Sequence, residues 1–198
     1  MTTGRLPASE RRAALLDCAC RVFSAGSYRG ATTADIANAA GVTEPVLYRH
    51  FDSKRDLYLA CLADTWAELR VRWDEALEAE PDPALWLSAM GRAFVASESD
   101  RRVISNMWIQ ALSEASEDPA IARFMRAHIH EVHEYAAAVV RRGQEAGGIA
   151  PERDPDAEAW IFIALGFLSI ADRRLDGVMG DGWPGIREAR VDWLRGRA

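Results

Sequence analysis

Long apolar runs are missing from this 198-residue chain. The longest, Ala159 to Ala171, falls short of the roughly 20 residues a membrane-spanning helix needs, so no membrane partner is expected. The first eight residues lack the apolar core of a secretory signal, and charged Glu10, Arg11 and Arg12 follow them. A cytoplasmic location is the expectation. Cysteine is scarce too. Three thiols cannot close a disulfide framework, and Cys18 and Cys20, two apart, fall on nearly opposite sides of a helix, so they read as reduced, packed side chains. Strand signals are absent as well: no stretch sustains the two-residue alternation or the β-branched clustering of a sheet. Nor is there a nucleophile elbow, a glycine-rich phosphate loop or a Cys/His metal spacing, which argues against an enzyme and against a bound cofactor or metal. Lysine occurs once, as Lys54, but beside 23 arginines this reflects an arginine-biased composition.

What remains is an ordinary globular make-up, 49% hydrophobic and 27% charged. The net charge of −6 is unevenly spread. Through Asp56 there are eight basic and six acidic residues, and beyond it sixteen basic and twenty-four acidic. A slightly basic head on an acidic body suits a protein that meets a polyanion only at its N-terminal end.

Helical periodicity dominates, and the chain reads as all-α, with about nine helices. Leu15, Leu16, Ala19, Val22 and Phe23 form one stripe after a Ser9 cap, and Gly26-Ser27 ends the first helix. A short helix capped by Thr32 or Thr33 turns Ile36, Ala37 and Ala40 inward and stops at Gly41. A third spans Glu44 to His50, with Pro45 in its first turn, where a missing N–H costs nothing. Ser53 caps a long fourth helix to about Ala79, broken by Glu80-Pro-Asp-Pro83. Five more are expected over Pro83–Ala96, Arg101–Ala115, Pro119–Glu145, Asp156–Leu175 and Pro184–Leu194, with Ser97 to Asp100 as one of the separators. This divides the chain into a head, residues 1–54, and a helical body, residues 55–198.

Two short helices separated by Gly41-Val42-Thr43 have the spacing of a helix-turn-helix. With Val42, Leu47 and Phe51 inward, Thr43, Glu44, Val46, Tyr48, Arg49 and His50 are available to DNA bases or backbone. On shape alone, a helical bundle with no nucleic-acid role fits equally well. The ordered residues decide between them. Phe23 and Tyr28, Thr32-Thr33, Asp35-Ile36-Ala37, Ala40-Gly-Val-Thr43, Leu47-Tyr48, His50-Phe51, Ser53-Lys54 and Leu57 together resemble the TetR family of transcriptional regulators over about the first 60 residues.

The resemblance implies roles position by position. Thr33, Tyr48, His50 and Lys54 correspond to phosphate contacts, and Thr43 to the cap of the recognition helix. Glu44, Pro45, Val46 and Arg49 would lie nearest the base edges, where Arg reads guanine, Glu accepts from cytosine and an apolar group meets a thymine methyl. Glu44 and Ser27 depart from the commonest residues of the family at those places.

In the body, Trp160, Ile163, Ala164 and Phe167 line one side of an all-round apolar helix, and Ile186, Trp193 and Leu194 add a face on the last one. The resemblance implies that these two helices form a four-helix seam between two copies. A twofold pair of heads then meets major grooves roughly 34–36 Å apart, on an inverted-repeat operator. Trp66, Met90, Phe94, Met107, Trp108, Leu112, Phe124 and His128 either fill a helical core or line a cavity for a small apolar or amphipathic effector. The run His128-Ile-His-Glu-Val-His133-Glu134 places His130 and Glu134 on one face, but without ligands from a second segment it reads as a solvated helix face. The expected function is that of a homodimeric, ligand-responsive repressor. The rival readings are a helical interaction protein that has lost specific DNA binding, with Glu44 as its best argument, and a small helical enzyme.

Overall fold

The computed structural model describes residues 8–96 and 98–197, and every regular element among them is helical. The order is α1 Ala8–Ala25, α2 Thr33–Ala39, α3 Glu44–Leu47, α4 Lys54–Ala79, a 3₁₀ turn Pro83–Leu85, α5 Trp86–Ala96, α6 Glu98–Glu114, α7 Pro119–Glu145, α8 Pro155–Arg174 and α9 Gly182–Leu194. No helix among the described residues is long and apolar enough to cross a membrane. Most boundaries fall within a few residues of the periodicity. Ser9 lies inside α1 rather than before it, and residues 98–100, expected in a loop, are helical. Ser97 lies outside the described residues.

Two compact units emerge. The first comprises residues 8–68 and 98–125, the second residues 69–96 and 126–197. The head thus shares a unit with the first part of α4, with α6 and with the start of α7. Its core explains why: Phe23 of α1, Ile36 of α2, Leu47 of α3, Phe51, and Leu57, Tyr58 and Leu62 of α4 form one cluster with Met107 and Ala111 of α6 and Ile121 and Met125 of α7. The Tyr58 ring meets Phe23 edge-on at 5.0 Å between centroids, and its buried hydroxyl donates to the Met107 carbonyl at 3.1 Å. Burial pushes the Tyr58 phenol well above its ordinary range. Cys18, Cys20 and Cys61 are all free and buried, as the packed-thiol reading expects.

Helix α1 ends against α6. Its last carbonyls have no intrahelical donor, and two amides one turn apart on α6 supply them: Asn106 donates to Ser24 O at 3.0 Å, and Gln110 to Phe23 O at 3.1 Å and Gly26 O at 2.9 Å.

In the second unit, Trp73 packs on Tyr135 of α7 and on Phe162 of α8, each at 5.5 Å, beside a small-residue seam of Ala136, Ala137 and Ala159. The turn after α7 has a steric origin for its glycine. A Cβ on Gly148 would stand 2.6 Å from Pro83 Cβ and 2.8 Å from the backbone nitrogen of Ala84. Buried Glu158 of α8 accepts from the indole of Trp193 at 2.7 Å and pairs with Arg190, which pins α9 to α8. Arg153 stacks on the same indole, 3.6 Å from its centroid.

Candidate nucleic-acid interface

The head's recognition surface is built from local chemistry. Thr32 and Asp35 form a reciprocal capping box at the start of α2, and the Thr32 contacts hold the Asp35 carboxyl below its usual range. Gly41 then adopts φ +66°, a left-handed conformation that costs a glycine little, and Val42 N bonds back to Ala37 O at 2.9 Å. The chain is thereby reversed into α3. Pro45 occupies its first turn.

α3 is shorter than the sequence implies. It ends at Leu47 because the hydrogen bonds tighten: Tyr48 N still reaches Glu44 O, four residues back, but Arg49 N bonds to Val46 O and His50 N to Leu47 O, only three back. Tyr48, Arg49 and His50 therefore sit on a tight turn. Leu47 and Phe51 are buried, Val46 and His50 are half-buried, and Thr43, Pro45, Tyr48 and Arg49 are exposed. Thr43 holds the N-cap position with extended backbone, yet its side chain makes no capping bond; the α3 start relies on Pro45 instead.

Three polar side chains converge here. Thr33 Oγ1 donates to Glu44 Oε1 at 2.5 Å and lies 3.2 Å from the Tyr48 hydroxyl. Glu44 is half-buried in this arrangement.

The basic residues of the head divide into two groups. Arg29 pairs with Glu114 and Glu117, and Arg55 approaches Asp118 at 3.5 Å, so both face the α6–α7 turn. Asp118 also accepts from the backbone nitrogens of Ala120 and Ile121, and with Arg55 these hold its carboxyl below the usual range against the opposing effect of burial. Lys54 stands over the Tyr28 ring at 4.8 Å and reaches Arg29 O at 3.5 Å. Partial burial lowers its pKa, opposed by Glu114. Neither the amide caps on α1 nor the Arg29 contacts had a sequence signal, since their partners lie more than 80 residues apart.

The residues expected to line an effector cavity are distributed over both units. In the first, Met107 is fully buried in the head's own core, Trp108 and Phe124 pack on that core, Trp66 is buried and Leu112 is 37% exposed. In the second, Met90 and His128 are buried and Phe94 is half-buried. Burial drives His128 down to a pKa of about 4, with Glu131 opposing weakly. The histidine run is not a solvated face throughout: His133 is buried with its ring 4.5 Å from Trp160, and only His130 is exposed.

Of the residues expected at a dimer seam, Trp160, Ala164 and Trp193 are exposed and Phe167 and Ile186 half-buried. Ile163 and Leu194 are buried inside the chain's own packing, which leaves them little surface to offer a partner. Ile161, Leu175 and Val178 extend the exposed apolar surface of α8 and the segment after it.

Comparison with known proteins places this geometry. The profile described as bacterial regulatory proteins of the tetR family matches residues 15–61, and one described as BetI-type transcriptional repressor, C-terminal, matches residues 83–166. The transcriptional activator FasR of Mycolicibacterium smegmatis is 53% identical over 58 residues, 29% of this chain and 26% of that protein. The transcriptional repressor KstR2 of Rhodococcus jostii is 35% identical over 82 residues, 41% of this chain and 40% of that one. The alignments thus span about a quarter and two fifths of those relatives' lengths. A transcriptional regulator from Saccharomonospora viridis, solved in complex with choline, shares the fold at TM-score 0.77 and 23% identity, over 94% of this chain and 96% of that one. These families regulate transcription and are not enzymes. With both parts of the chain matched, in order and over the expected helices, the chain belongs to the TetR family of transcriptional regulators.

Proposed function

We propose that this protein is a homodimeric repressor that binds an inverted-repeat operator and is released by a small apolar or amphipathic effector. One observation carries the DNA-binding part: Leu47 and Phe51 anchor a short turn in a core shared with α1, α4, α6 and α7, while Tyr48 and Arg49 remain exposed on its other side. Rigid anchoring with polar side chains outward is what groove recognition needs. Thr33, Tyr48, His50 and Lys54 act on phosphates, and Pro45, Val46 and Arg49 face base edges, with Glu44 among them. Repression is favoured over activation by the description of the C-terminal match, although FasR shows that a closely similar head also serves an activator.

The seam is formed by Trp160, Ala164, Phe167, Ile186 and Trp193, together with Ile161. Effector binding acts through α4 on the distance between two heads. It weakens the complex in proportion to its preference for the unbound geometry, about 1–3 kcal/mol for a 5–150-fold change. Choline, bound in the S. viridis relative, is the first effector to test. The site of action is the cytoplasm.

Selecting binding sites from random duplexes with the purified protein tests the proposal. Recovery of a palindrome with half-sites about one helical turn apart supports it. Failure to enrich any sequence, even at low salt, sinks it.

A further inference from the structure

We propose that Glu44 is an internal stand-in for a DNA phosphate, occupying the Thr33 hydroxyl, which Tyr48 supports in turn, in the free protein and so filtering duplexes by whether they reward its release. The inference rests on the DNA-binding reading above. A carboxylate has only acceptors, so the single Thr33 proton is committed to Glu44 Oε1 at 2.5 Å. The Tyr48 phenol, 3.2 Å from Thr33 Oγ1, must then be the donor in that pair. The protons run in one direction, from Tyr48 to Thr33 to Glu44. A hydroxyl on α2, itself receiving a proton from the turn after α3, thus donates to an anionic oxygen, as it would to a phosphate oxygen.

Both hydroxyls are reachable: Tyr48 is 46% exposed and Thr33 half-buried. A DNA phosphate that takes the Thr33 proton must displace the carboxylate, because two anions cannot share that one proton. Once displaced, Glu44 stands at the base-edge side of the recognition turn, among acceptors such as guanine N7 and O6 and thymine O4. Only an exocyclic amine, that of cytosine above all, replaces the lost Thr33 donor. Glu44 therefore weakens every complex and recovers the loss only on duplexes that present such an amine at its position. The departure from the family's commonest residue at this place becomes a device for lowering non-specific binding.

Binding of wild type, Glu44→Gln, Thr33→Val and the double variant is measured by fluorescence anisotropy on a selected operator and a scrambled duplex, at several salt concentrations. Glu44→Gln is expected to tighten binding to the scrambled duplex about 5–10-fold, to narrow the operator-to-scrambled ratio, and to do much less when Thr33 is already Val. Should Thr33→Val unfold, Thr33→Ala, which removes the same hydroxyl without a β-branch, repeats the comparison. Salt-dependent binding by wild type with no gain from Glu44→Gln overturns the gate alone, as does an equal gain with and without the hydroxyl, which would be plain charge repulsion. A wild type that binds no duplex at any salt overturns the DNA-binding reading and the gate with it.

Discussion

Gln110 on α6 donates to the backbone oxygen of Gly26 at 2.9 Å, across 84 residues of sequence, and its other amide proton serves Phe23 O. The end of the first helix is therefore closed by the sixth. Arg29, three residues past Gly26, is held to Glu114, the last residue of that same helix, and to Glu117 in the turn beyond it. Displacement of α6 would be felt directly at the loop that leads into the helix-turn-helix.

Replacing Gln110 with Ala leaves the carbonyls of Phe23, in the last turn of α1, and of Gly26, just past it, without this donor, and stability should fall by about 1–2 kcal/mol. Urea unfolding reads the loss. Hydrogen exchange should quicken at the end of α1 and in the loop after it, while the interior of α8 stays protected; uniform loss of protection would contradict a local role.

Arg49 and Tyr48 should separate in their effects. Arg49→Ala is expected to cost about 1–3 kcal/mol on a selected operator and little on scrambled DNA, whereas Tyr48→Ala should weaken both alike. Equal loss on the two duplexes for Arg49→Ala would remove it from base reading.

Trp160 is 45% exposed on α8, beside half-buried Phe167 and exposed Ala164. A charge there, as in Trp160→Glu, should prevent burial of this face and shift sedimentation from dimer to monomer. Operator affinity should drop with it, since each half-site then binds alone. An unchanged dimer would place the seam elsewhere.

Acid should destabilise the protein through His128. Its folded-state pKa, about 4, lies below the ordinary value of 6.5, so the unfolded chain binds more protons between these limits. Stability is complete above about pH 6.5 and falls as pH drops toward 4, by up to roughly 3 kcal/mol for this group. Urea midpoints measured from pH 7.5 to 4.5 should show the decline, and His128→Leu should flatten it. A slope that persists unchanged in the variant would assign it to carboxylates instead.

The sequence by itself determined the run of helices and the recognition motif, because both are written in local patterns: a threonine cap before α2, a glycine turn at Gly41, Pro45 in a first turn, and apolar side chains at helical spacing. It also carried the family, since the head's residues recur in order. Periodicity distinguishes an inner face from an outer one, but it does not name the partner of that face. Only the tertiary structure decided that Met107 belongs to the core beneath the recognition turn, that Ile163 and Leu194 turn into their own chain, and that His133 packs on Trp160. It also decided that Glu44 spends its carboxylate on Thr33. Each of these depends on groups brought together by folding from distant or opposing segments, where the energy of contact rests on three-dimensional proximity that no local pattern encodes.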